Sequence, residues 1–93
     1  MRKYEFTVIF RPEEDAFSRG KEIVKTELNA QKAVITKEED MGIRDLAYDI
    51  QKQSRGHYVY FEMDLDPSTI IHMDKTFRIK TEILKYLFVR QEI

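Results

Sequence analysis

Carboxylate and basic side chains are plentiful in this chain and two histidines accompany them, but their spacing argues against catalysis. His57 and His72 stand apart, with no second histidine or cysteine at the separation a metal requires, so both are expected to be structural or solvated. The chain contains no cysteine, which removes disulfides and thiolate nucleophiles and leaves packing to supply stability. The acidic runs Glu13-Glu14-Asp15 and Glu38-Glu39-Asp40 superficially suit a divalent cation. The first is better placed to complement the positive end of a helix and the second to lie on a solvated bend, so neither a metal nor a cofactor is assigned. Arg11 follows an extended stretch, as the phosphate-holding arginine of an acylphosphatase does, yet Pro12 and the acids behind it would repel phosphate.

Recognition chemistry is better represented. Phosphate contacts need cations, and the candidates are Arg2, Lys3, Arg44, Lys52, Arg55, Arg78, Lys80, Lys85 and Arg90, each weighed against being an ordinary solvated charge. Tyr58 and Tyr60 fall on one face of a strand, opposite Val59 and Phe61. There they suit docking of a partner protein, ahead of base stacking and alongside plain cross-strand packing. A formal net charge of −1 weighs against a strong non-specific nucleic-acid binder, but leaves room for a local basic patch.

The elements that must position these groups follow from periodicity. Tyr4, Phe6, Val8 and Phe10 alternate with polar residues as in a half-buried strand, which Arg11-Pro12 ends. Phe17, Gly20, Val24 and Leu28 then keep helical spacing, giving a helix from about Glu13 to Asn29. A long second strand runs from Ala33 through a bulge near Gly42 to Ile50, and a turn containing Ser54 and Gly56 leads into the third strand around Val59, Phe61, Met63 and Leu65. Asp66-Pro67-Ser68 caps a second helix reaching about Lys80, with Ile70, Met73 and Phe77 as its apolar stripe. Ile83 to Val89 is mostly apolar, as expected of a strand central in a sheet, and ends near Arg90.

The resulting βαββαβ order predicts an α+β, ferredoxin-like fold: a four-stranded antiparallel sheet with two helices on one face and the other face open. At 93 residues the chain is expected to form a single domain over 1–93. No apolar run approaches the roughly 20 residues that span a bilayer, and a cytoplasmic setting is the expectation.

Three stretches carry a family likeness: Met1-Arg2-Lys3-Tyr4-Glu5 with Phe10-Arg11-Pro12; Gly42-Ile43-Arg44-Asp45-Leu46-Ala47-Tyr48-Asp49-Ile50 with Gly56-His57-Tyr58-Val59; and Ile83-Leu84-Lys85-Tyr86-Leu87-Phe88-Val89-Arg90. Together they resemble the bacterial small-subunit ribosomal protein family conventionally numbered six, over essentially the whole chain. The resemblance implies a non-enzymatic component of the central region of the small subunit, binding its ribosomal RNA jointly with the eighteenth small-subunit protein as a heterodimer. Asp45 stands where the family commonly has a second basic residue, and Asp49 where it commonly has proline. The competing reading from fold alone is a dimeric ferredoxin-like domain that senses a ligand, for which the sequence offers no glycine-rich ligand loop.

Overall fold

A computed structural model describes residues 1–91. Its elements are β1 (Arg2–Phe10), α1 (Glu14–Ala30), β2 (Val34–Ile50), β3 (Gln53–Leu65), a 3-10 turn (Pro67–Thr69), α2 (Ile70–Arg78) and β4 (Ile83–Arg90). The strands form one antiparallel sheet in the order β2-β3-β1-β4, the expected ferredoxin-like arrangement.

Strand alternation decides which face is dry. Tyr4, Phe6, Val8 and Phe10 of β1 and Val59, Phe61, Met63 and Leu65 of β3 are buried toward the helices, where they meet Val24 and Leu28 of α1 and Met73 and Phe77 of α2. Phe6 lies at the centre, its ring 4.2 Å from that of Phe88, 5.6 Å from Phe77 and 5.9 Å from Phe61. Burying each such side chain contributes roughly 1.5–3 kcal/mol, so this aromatic cluster is a principal source of stability.

Gly20 lets α1 approach the sheet. A Cβ placed there would stand 2.5 Å from Phe10 Cδ1, well inside contact distance. The buried stripe of α1 is Ala16, Gly20, Val24 and Leu28, while Phe17 sits at its margin. At the second helix the Asp66 carboxylate accepts from the Ser68 amide at 3.0 Å, as a cap should. The helix stops at Arg78 instead of Lys80, because the chain tightens: the Lys80 amide donates to the Phe77 carbonyl and the Ile83 amide to the Lys80 carbonyl.

Two features of the sheet differ from expectation. β4 is an edge strand, paired among the described residues only with β1, and not a central one. Its apolar run arises because both faces carry apolar groups: Tyr86 and Phe88 enter the core, while Leu87 and Val89 emerge on the open side, 57% and 44% exposed. The hairpin turn is made by Gln51 and Lys52, with φ of 49° and 66°, and Ser54 and Gly56 belong to β3. A two-residue connection with both φ positive matches the right-handed twist of the strands, and that geometry prevailed over residue preference. Gly42, at φ 81°, does mark a bulge in β2.

Candidate interaction surface on the open sheet face

The registers place the side chains of the helix-free face in rows. One row holds Lys85, Ile9, Tyr58 and Gly42; the next Leu87, Thr7, Tyr60 and Glu39; the next Val89, Glu5, Glu62 and Lys37. Apolar groups therefore gather along β4 and at the Ile9 end, and carboxylates gather across the middle strands.

At the Ile9 end the distal hairpin closes over the sheet. Leu46, Ala47, Tyr48 and Ile50 come beside Ile9, Tyr58 and Lys85 around a recess of about 170 Å³. Gly56 permits this approach, since a Cβ on it would collide with the Ile9 side chain and touch Leu46 at 3.4 Å. Tyr48 is 64% exposed, and Lys85 Nζ lies 3.4 Å from its hydroxyl.

Further along, Tyr60 is tied down. Its hydroxyl lies 2.9 Å from Glu5 Oε1 and 2.8 Å from Glu62 Oε2, and Lys37 Nζ lies 5.9 Å from its ring centroid. Burial and the two acceptor carboxylates, Glu62 then Glu5, push the phenol well above its ordinary pKa, so it stays a donor. Glu5 and Glu62 are direct cross-strand partners, and one phenolic proton serves both.

The nine cations fall into separate groups. Arg2, Lys3 and Arg90 share one end of the sheet, where Arg90 pairs with Tyr4 and the Gln91 amide donates to the Lys3 carbonyl. Lys85 lies five residues along β4 from Arg90, about 17 Å at roughly 3.3 Å per residue, and Arg44, Lys52 and Arg55 lie farther off at the hairpin end. Arg44 Nε donates to the Met41 carbonyl, and Arg55 is 3.7 Å from Asp45, one of the two unusual acids, which thus offsets a cation at the tip. Arg78 pairs with Asp74 at 3.7 Å on α2, and Lys80 lines a shallow groove between α1 and α2, so neither joins the open face.

His57, Asp40 and Glu38 make contacts that join elements of the fold. The His57 ring lies flat against Phe17 and its Nε2 is 2.6 Å from Asp40 Oδ1, while Glu38 receives Lys25 at 2.8 Å and Lys21 at 3.4 Å. Glu38-Glu39-Asp40 is an exposed stretch of β2 that runs into the bulge at Asp40–Gly42, and it is also ion-paired, through Glu38 to α1 and through Asp40 to His57. Ile9, Leu46, Leu87 and Val89 were missed as surface residues. Ile9 in β1 and Leu87 and Val89 in β4 carried that signal, being apolar at outward positions where a one-sided sheet should be polar.

Comparisons with known proteins agree with this architecture. The family described as Ribosomal protein S6 matches residues 3–90. The chain is 42% identical to the small ribosomal subunit protein bS6 of Treponema denticola over 92 residues, covering 99% of both chains. It is 38% identical to the protein of the same name from Treponema pallidum, with 97% of each covered. The crystal structure of 30S ribosomal protein S6 from Thermotoga maritima superposes with a TM-score of 0.87 at 29% identity, over 97% of this chain and 87% of that one. The chain accordingly belongs to the ribosomal protein S6 family, as a non-enzymatic constituent of the small subunit of the cytoplasmic ribosome, associated there with the small-subunit RNA.

Proposed function

We propose that this protein binds the central domain of small-subunit ribosomal RNA jointly with the eighteenth small-subunit protein, which docks on the open sheet face. The observation that carries the reading is the apolar surface of Ile9, Tyr58, Leu87 and Val89 on the face that no helix covers. A wet apolar sheet face is costly unless a partner covers it. Tyr58 contributes a recess wall to the docking surface, and Tyr60 contributes an immobilised ring.

RNA is held by the cations at the two ends: Arg2, Lys3 and Arg90 at one, and Arg44, Lys52, Arg55 and Lys85 at the other, with Arg78 and Lys80 reaching it from the helical side. A protein of net charge −1 joins an RNA assembly in this way because its partner supplies further contacts and its own cations gather at the two ends of the sheet, away from Glu5 and Glu62. The test is a gel shift on a central-domain RNA fragment across a salt series, with and without the eighteenth protein. Salt-sensitive binding that tightens strongly when the partner is added is expected. Absence of binding from folded components in both conditions overturns the proposal.

A further inference from the structure

The open face is not uniform, and its two halves ask for different chemistry. The recess at the hairpin end is walled by Ile9, Leu46, Ala47, Ile50 and the rings of Tyr48 and Tyr58. Its volume of about 170 Å³ is below the roughly 300 Å³ at which small-molecule pockets begin, so it admits a single side chain more readily than a metabolite. The middle of the face has the opposite character. Glu5 and Glu62 stand directly opposite each other, an arrangement that like charges make unfavourable, and the one phenolic proton of Tyr60 lies between them. Lys37, which lies over the Tyr60 ring, is itself 3.9 Å from Glu39.

We infer that the docking partner is recognised at two points: an apolar side chain enters the recess, and a basic side chain seats between Glu5 and Glu62. The inference rests on the docking reading given above and names the chemistry of the partner at that face. A cation there cancels the cross-strand repulsion, while the Tyr60 hydroxyl keeps both carboxylates fixed for it. The same carboxylates would repel phosphate, which makes a protein and not RNA the occupant of this half of the face. Ile9 and Glu5 are four residues apart on β1, about 13 Å at roughly 3.3 Å per residue. The partner must therefore offer its apolar anchor and its cation about 13 Å apart, which an extended segment achieves in four residues and a helix in roughly nine.

The experiment is titration calorimetry of the full chain with the purified eighteenth small-subunit protein at low and high salt. Two variants are compared with the unsubstituted protein: Glu5→Gln with Glu62→Gln, and Ala47→Phe, which fills the recess from an exposed hairpin position. The double glutamine variant is expected to bind about tenfold more weakly at low salt and to lose most of the salt dependence. Ala47→Phe is expected to weaken binding by about tenfold or more with the salt dependence retained. Thermal melts check folding, and the glutamine variant should melt close to the parent, since it loses the cross-strand repulsion together with the charge on the two acceptors of the Tyr60 hydroxyl. Parental affinity in either variant overturns the two-point inference and leaves the docking reading standing. So does an Ala47→Phe protein that binds the partner normally but loses the RNA, which would assign the recess to a base. No binding by the unsubstituted protein overturns both.

Discussion

The imidazole of His57 lies parallel to the ring of Phe17, with 3.5 Å between centroids, and so fastens β3 to the first turn of α1. From the other edge of the ring Nε2 reaches Asp40 in the β2 bulge, so one side chain joins three elements. His57→Ala removes the stack and the hydrogen bond together. The expected loss is about 1–2 kcal/mol of unfolding free energy, measured by urea titration.

That linkage sets an acid limit on stability. Burial pushes the Asp40 carboxyl up, but the hydrogen bonds from His57 and the Gly42 amide outweigh it and leave the group below its ordinary range. Glu38 is lowered chiefly by the hydrogen bond from Lys25. Carboxylates with depressed folded values contribute stability that is complete above the unfolded value and is lost as pH falls through the folded one. As far as these carboxylates set it, unfolding free energy should thus be flat from about pH 5 to the alkaline range and decline below about pH 4. Asp40→Asn should make that decline shallower; an unchanged profile would count against the assignment.

Gly20→Ala sets helix propensity against packing. Alanine gains up to about 1 kcal/mol in a helix interior, but its Cβ meets the buried ring of Phe10, and overpacking costs about 1–3 kcal/mol. The variant should therefore be less stable by about 1–2 kcal/mol. A rise in melting temperature would show that Phe10 can yield.

The turn offers a variant whose two readouts move in opposite directions. Gln51 and Lys52 hold positive φ without being glycine or asparagine, a conformation that costs of order 1 kcal/mol per residue. Lys52→Gly should raise stability by about that amount. If Lys52 touches phosphate, the same change should reduce the slope of log affinity against log salt by about 0.9, the duplex value. Stabilisation with an unaltered slope would remove Lys52 from the RNA surface.

At the alkaline end Tyr86 is the group to follow. Burial, and then its hydrogen bond to Asp74, push the phenol up to about 12, so its folded value exceeds the unfolded one near 10. Its contribution is intact below about pH 10 and falls as pH rises toward the folded value. Tyr86→Phe should lower stability by about 1 kcal/mol at neutral pH and flatten the alkaline decline.

The fold was legible because the chain obeys simple periods. Alternation at Tyr4 to Phe10 and at Val59 to Leu65 identified the two central strands, and Asp66-Pro67 announced the second helix, since each rule depends only on local residue types. Position within the sheet was less accessible. Ile83 to Val89 reads as central because hydropathy records that two faces are apolar without recording what covers them. The candidate site was legible as residue types and illegible as geometry. Arg2 and Arg44 are alike in sequence, and only strand registers separate them to opposite ends of the sheet. The pairing of Glu5 with Glu62 and the approach of Leu46 to Ile9 are equally tertiary facts.

The order β2-β3-β1-β4 also governs how the molecule can come into being. β1 is made first yet sits in the interior of the sheet, and both of its neighbours are distant in the chain: Phe6 pairs with Phe61 on one side and Phe88 on the other. While the polypeptide is being synthesised, Tyr4, Phe6, Val8 and Phe10 have no sheet partner until β3 has emerged, and the cluster around Phe6 stays incomplete until β4 follows. Early helix formation by α1 can shield those residues but cannot satisfy their backbone groups. Such non-local closure places folding toward the slower part of the range for small domains, with loop closure and not helix formation as the slow event. A component of the translation machinery thus completes its own sheet only once β4 has left the machine that makes it.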